Sequence, residues 1–401
     1  MRICLAVAVF LLGTAADPAL AQSLLKGEIL SSIVVRTLAQ PHPVLGADNR
    51  VHLAYELALT NASAMLVNID KVEALDPNGR VLRTIEGDHL RAMTMQHAGA
   101  PNTLPAGGSG IIFMDVSFAH GDVLPATVAA RITATRQVIG ADGKAAPMPA
   151  GQMVPATYTF TTAAIALGKP ARVIEPPLRG SNWVASNGCC DRIAPHRGAL
   201  ITINGVMQAP ERFALDLVQI DAKNRTSEGD YKKLANWPFF GAPIYSVADG
   251  TVVNAYDGVD EQVPGPTPTG ITTDNIGGNM MVVDIGSGAF AFYAHLQRGT
   301  QKAKLGETVK AGQVLGLLGN TGNSTAPHLH FHLMDGVSPL NANGLPYVFT
   351  KFTSSGVIPA ADEDLLEDGR SVRIEKKWIG QHINQLPLDN QVVDFGPPPE
   401  R

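Results

Sequence analysis

Apolar residues between positions 28 and 162 come in short runs, many alternating with polar neighbours, with turn residues between them. The runs centre on Ile33-Val34-Val35 and then on residues 51–59, 64–74, 81–85, 110–118, 127–135 and 157–162, and Asp76-Pro77-Asn78-Gly79 marks a turn. A period of two sends successive side chains to opposite faces of a strand. Short strands with regular turns predict an antiparallel β-sandwich of immunoglobulin-like type. Residues 163–187 lose the period, carry Pro170, Pro176 and Pro177, and read as a linker.

Strand patterning resumes beyond the linker. Residues 199–203 run into Asn204-Gly205, the strongest short hairpin signal, and the return passes Pro210 to reach residues 212–217. Residues 241–253 read as two short strands around a turn. Further strands are expected at 280–284, 289–296, 308–309 and 313–318. Residues 256–278, rich in Pro, Gly and Thr, form a long loop, a kind of segment that is usually functional, and belong at the rim of a groove. The last strand pattern is Thr325-Ala326-Pro327-His328-Leu329-His330-Phe331-His332-Leu333. There His328, His330 and His332 share one face, while Leu329, Phe331 and Leu333 turn to a core. Such a face is either a solvated strand surface or a metal site, since imidazole is the commonest biological metal ligand.

Composition narrows the class. A chain of 401 residues exceeds one ordinary domain, and 45% hydrophobic with 17% charged residues permits a packed core. A formal net charge of -5 argues against nucleic acid as a partner. Arg2, the apolar run 3–12 and Ala19-Leu20-Ala21 have the form of a cleaved leader, with cleavage expected before Gln22. The run is too short to anchor permanently in a bilayer, and no later stretch is long and apolar enough to span one. An exported protein, periplasmic or secreted, with no membrane span after cleavage is therefore expected. Cys189 and Cys190 remain as neighbours, open to a vicinal disulfide, an intermolecular pairing or burial as thiols. His42, His52, His89, His97 and His120 lack metal-ligand spacing and read as surface or core histidines.

Five stretches occur in a specific order: residues 243–253, Tyr293-Ala294-His295-Leu296, residues 309–316, residues 319–324, and Pro327-His328-Leu329-His330-Phe331. Together they make residues 194–349 resemble the lysostaphin/LytM-type zinc metallopeptidases, which cut peptides of bacterial peptidoglycan. The resemblance implies a lysostaphin-like antiparallel β domain at 188–349, following a leader (1–21), the sandwich (22–162) and the linker (163–187), with a C-terminal extension at 350–401. It implies zinc held by Asp216 and His330, with His295 and His328 flanking the water that attacks, and peptidoglycan peptides as substrate.

One position departs from the family pattern. Four residues before Asp216, where the family has a histidine ligand, stands Arg212, which stays protonated and offers no lone pair. His196 is the expected substitute. The hairpin register carries it beside Arg212, though onto the wrong face unless a bulge near Pro210 corrects it. His332 and Arg212 are expected to orient the ligands from behind. A second reading follows from Arg212: an inactive lysostaphin-like module, with Arg212 paired to Asp216, that binds cell wall or regulates a partner hydrolase.

Overall fold

The computed structural model describes residues 28–96, 100–152 and 154–397. The expected leader, His97 and Pro398-Pro399 lie outside the described residues. Strands dominate, as the patterning predicts, and no described helix is long and apolar enough to cross a membrane.

The first half folds into two antiparallel sheets. One runs in the order Ile33–Thr37, Arg50–Asn61, Ser109–Ala119, Thr94–Gln96, with His42–Leu45 also on Arg50–Asn61; the other runs Ala145–Pro147, Thr127–Ile139, Leu66–Leu75, Val81–Glu86. Leu53, Tyr55, Leu57 and Phe113 from the first sheet meet Val67, Ile69, Ile132 and Ala134 from the second in one buried cluster. Burial of alternate residues along Thr127–Ile139 reproduces the two-residue period of its sequence.

His52 is buried between two carboxylates of this half. Nδ1 lies 2.9 Å from Asp115 Oδ2 and Nε2 lies 3.1 Å from Asp48 Oδ2. Burial opposes the charged ring, but its hydrogen bonds to the Asp115 and Asp48 carboxylates outweigh this and push the pKa up to about 10. Because the folded value exceeds the unfolded one near 6.5, this stabilisation is complete below about pH 6.5 and is lost as pH rises through about 10. Melting midpoints measured from pH 6 to 10 should therefore fall more steeply for the natural protein than for His52→Gln. Parallel curves would show that the triad does not carry a linked proton. His52, Asp115 and Cys190 also converge as conceivable metal ligands. However, both His52 nitrogens face carboxylates and Cys190 is joined to Cys189 in a vicinal disulfide. That disulfide is one of the three states the sequence leaves open.

The second half is organised around a single twelve-stranded sheet. Its main path runs Arg172–Ile174, Tyr347–Val357, Gln391–Asp394, Trp183–Ser186, Leu215–Gln219, Leu329–Met334, Phe290–Leu296, Asn279–Asp284, Gly250–Tyr256, Thr308–Val309. All its pairings are antiparallel except that of Arg172–Ile174 with Tyr347–Val357. Trp183, Leu217, Tyr293, Phe331 and Phe349 fill the core beneath it. The Asn204-Gly205 hairpin forms with Ile203 opposite Val206, and both turn residues have the positive φ that such a loop needs. Of the two strands expected within 241–253, Gly250–Tyr256 joins the large sheet, while Pro243–Tyr245 pairs with Val314–Leu317 in a separate one.

Two stretches do more than the sequence suggests. The expected linker contributes Arg172–Ile174 and Trp183–Ser186 to the large sheet, and the expected C-terminal extension contributes Gln391–Asp394 directly beside Trp183–Ser186. Phe352, Leu386, Leu388, Val392, Val393 and Phe395 are buried there. At roughly 1.5–3 kcal/mol per buried side chain their loss amounts to on the order of 10 kcal/mol, comparable to the whole stability of a typical domain. A chain ending at Phe349 should therefore give no cooperative melting transition. A sharp calorimetric transition in that truncated protein would contradict this.

Candidate metal centre

Sheet register brings the site together. Asp216 on Leu215–Gln219 is the direct partner of His330 on Leu329–Met334, and His330 is in turn the partner of Ala294, beside His295. The alternation read from the sequence holds in part. His330 and His332 share the cleft-facing side, His328 stands just before the strand, and Leu329, Phe331 and Leu333 are buried in the core.

Asp216 is the hub. Its Oδ2 lies 3.1 Å from His196 Nε2 and accepts from Asn187 Nδ2 at 2.8 Å, while its Oδ1 lies 3.0 Å from His330 Nδ1 and 3.3 Å from His328 Nε2. Burial alone would raise the pKa of Asp216, but His196 and His328 hold the carboxyl well below its ordinary range. In return, Asp216 overcomes burial to push His196 up to about 9 and to raise His328. His295 and His332 go the other way. Burial, reinforced by the neighbouring imidazoles, holds both well below the ordinary histidine value.

The donor set fits a metal ion. Ligand atoms of His196, Asp216 and His330 all lie within 4.8 Å of one another. His196 donates Nδ1–H to the Ala214 carbonyl at 3.1 Å, which turns Nε2 toward Asp216. His330 Nε2 meets His332 Nδ1 at 3.0 Å. In the tautomer that donates this Nε2–H to His332, the Nδ1 lone pair of His330 faces the cluster. Outer hydrogen bonds of this kind commonly orient metal-ligating histidines. Two imidazoles and a carboxylate are a usual donor set for catalytic zinc.

His295 and His328 stand beside the cluster, with ring centroids 4.6 Å apart. Each donates its Nδ1–H to a carbonyl, His295 to Thr321 and His328 to Ala326, both at 2.7 Å, which leaves each Nε2 directed inward. His295 has φ +62°, a conformation that costs a non-glycine residue free energy and that clusters at functional sites. The turn that holds it is tight. Gly278 (φ +64°) packs so closely on Thr321 that a Cβ there would lie 2.4 Å from the Thr321 carbonyl oxygen. The long loop lies at the rim as expected, with Ile276 and Gly277 lining a cleft of about 340 Å³ together with Glu211, Phe292 and the histidines.

Two expectations need correction. Arg212 neither pairs with Asp216 nor orients a ligand directly. Its Nε lies 2.9 Å from Glu56 Oε1 on the first half's Arg50–Asn61 strand, and both side chains are fully buried. A carboxylate in an apolar strand was the stronger attractor because, unpaired, its burial would be costly. His196 does reach Asp216, but not along a hairpin ladder. The ladder ends at Ile201 opposite Gln208, and His196 comes instead from a single helical turn, Pro195–Gly198.

Sequence reasoning missed Asn187, Thr321 and Glu56. Glu56 carried a signal as a lone acid amid the apolar run 51–59, and Thr321 lies inside the motif stretch 319–324.

Comparison with known proteins covers part of this region. The model of peptidase family M23 matches residues 238–342. That stretch contains His295, His328, His330 and His332 but neither His196 nor Asp216. The chain is 33% identical over 116 residues to the glycyl-glycine endopeptidase ALE-1 of Staphylococcus capitis, covering 29% of this chain and 28% of that protein. It is 34% identical over 103 residues to the peptidoglycan DD-endopeptidase ShyA of Vibrio cholerae, covering 25% and 20%. The chain thus spans about a quarter of the length of these relatives. Among solved structures, the catalytic domain of the antimicrobial peptidase lysostaphin from Staphylococcus simulans matches at 23% identity with a TM-score of 0.23, covering 41% of this chain and 88% of that one. Residues 238–342 of this chain are a peptidase family M23 domain.

Proposed function

We propose that the protein is an exported, zinc-dependent endopeptidase that hydrolyses peptide bonds of bacterial peptidoglycan. The observation that carries this reading is the convergence of His196, Asp216 and His330 within 4.8 Å, in a cleft that also presents His295 and His328. The similarity to endopeptidases of glycyl-glycine and peptidoglycan DD bonds supports the substrate class.

His196, Asp216 and His330 would hold the ion. Zinc bound there supplies an activated water near neutral pH and a Lewis acid for the scissile carbonyl. The remaining work belongs to the chain. His295 and His328, each with Nδ1–H fixed on a carbonyl, keep Nε2 available to the cleft. One takes the proton of the attacking water; the other stabilises the oxyanion or protonates the leaving amine. His332 holds the His330 ring from behind.

The test is zinc content by elemental analysis after reconstitution and dialysis, followed by digestion of purified peptidoglycan. About one zinc per chain, lost in Asp216→Ala and His330→Ala together with the release of muropeptides, is the expected result. Protein that retains no zinc and releases nothing from cell walls would sink the reading.

A further inference from the structure

We propose that the N-terminal sheets are a working part of this metal centre, with Arg197, Arg212 and Glu56 as positioning residues for His196 and Asp216. The inference rests on the reading of His196, Asp216 and His330 as the ligand set.

His196 sits on a turn of only four residues, Pro195–Gly198, whose N-terminus has no side-chain cap. Helical turns this short do not hold themselves in place. The neighbouring residue does the holding. Arg197 is 1% exposed and extends away from the cleft into the first half. There its Nη2 donates to the Met114 carbonyl at 2.6 Å and lies 3.5 Å from the Tyr55 carbonyl, and its guanidinium lies 5.6 Å from the centre of the Phe113 ring. Its Nη1 also donates to the Cys190 carbonyl, which ties the turn to the segment before it.

Asp216 is anchored to the same spot from the other side. Arg212, four residues earlier, forks onto Glu56, with Nε 2.9 and 3.0 Å from its two carboxylate oxygens, and donates Nη1 to the Gly344 carbonyl at 3.2 Å. Glu56 follows Tyr55 in the chain, Tyr55 is the cross-strand partner of Met114, and Glu56 is the partner of Phe113. Both arginines therefore end on one cross-strand patch of the N-terminal sheet. From that patch the chain returns to His196 and Asp216, whose facing atoms are 3.1 Å apart. A buried ion pair is weak evidence for stability, but its directional, desolvated contacts hold geometry. The position that the family pattern gives to a ligand has here become the strut that connects the ligand loop to a second unit.

Plain glue between the two halves predicts something different: lower melting temperature with the metal site unchanged. The test uses the full chain and three variants, Arg197→Met, Arg197→Lys, and the pair Glu56→Leu with Arg212→Met. The pair variant leaves no unpaired buried charge at this ion pair and carries the test if Arg197→Met does not fold. The readouts are the zinc dissociation constant by chelator competition, the visible spectrum of the cobalt-substituted protein, and KM against kcat at saturating zinc. Groups that orient ligands from outside change metal affinity by roughly 10–100-fold when removed. We expect a weakening of at least ~10-fold in Arg197→Met and in the pair variant, an altered cobalt spectrum, unchanged KM, and partial recovery in Arg197→Lys. Folded variants that bind zinc as the natural chain does would overturn this inference alone. A natural chain that binds no zinc would overturn the ligand reading and this inference with it.

Discussion

Changing His196 to alanine should empty the metal site and abolish peptidoglycan digestion without unfolding the protein. The His196 ring is buried, with Nε2 3.1 Å from Asp216 and Nδ1–H on the Ala214 carbonyl. Without it, Asp216 and His330 are left from a set of three, and catalytic zinc usually needs three protein ligands. Lewis-acid catalysis contributes several kcal/mol at the transition state, and each ~1.4 kcal/mol is tenfold in rate, so about three orders of magnitude in kcat/KM should go. His196→Cys replaces the imidazole with another zinc donor and should recover part of the metal content. Elemental analysis and a muropeptide release assay read both variants. Full zinc occupancy with natural turnover in His196→Ala would remove His196 from the ligand set and would make Arg212 once more an unexplained departure.

The second large effect separates chemistry from metal binding. His295→Ala should keep its zinc and lose about 10²–10⁴ in kcat, the usual contribution of a placed proton-transfer group. His295 is not among the converging ligands. It stands beside them with Nδ1–H on the Thr321 carbonyl and Nε2 inward. Its left-handed backbone, φ +62°, is held by hydrogen bonds from its own N–H to Gly277 and from the Gly319 N–H to its carbonyl. That conformation is the strained kind that surrounding structure must over-determine, as it does here. Zinc lost together with activity would instead assign His295 to the ligand set.

What could be read in the sequence was what alternation and motif order encode. A strand with histidines at every second position must place His330 and His332 on one face, and the ladder sets Asp216 opposite His330. The need for a third donor pointed to His196, but not to its route, because a four-residue turn leaves no period to detect. The Arg212–Glu56 pair spans 156 residues of sequence, and nothing local to either residue names the other. The C-terminal strands were hidden for a different reason. Gly380–Gln385 reads GQHINQ and Gln391–Asp394 reads QVVD, too short and too polar to announce strands beside a core.

The order of strands in the large sheet delays the assembly of the histidine cleft. Trp183–Ser186 lies between the Asp216 strand and Gln391–Asp394, the last described strand in chain order. His196, Asp216, His295, His328 and His330 are therefore all present in a growing chain well before the sheet that aligns them can close. Such long-range pairing forms late, after distant segments have met. A chain built only as far as Phe349 would carry the whole set of histidines and yet lack the strand that pairs with Trp183–Ser186, so the cluster is aligned only after Gln391–Asp394 has docked.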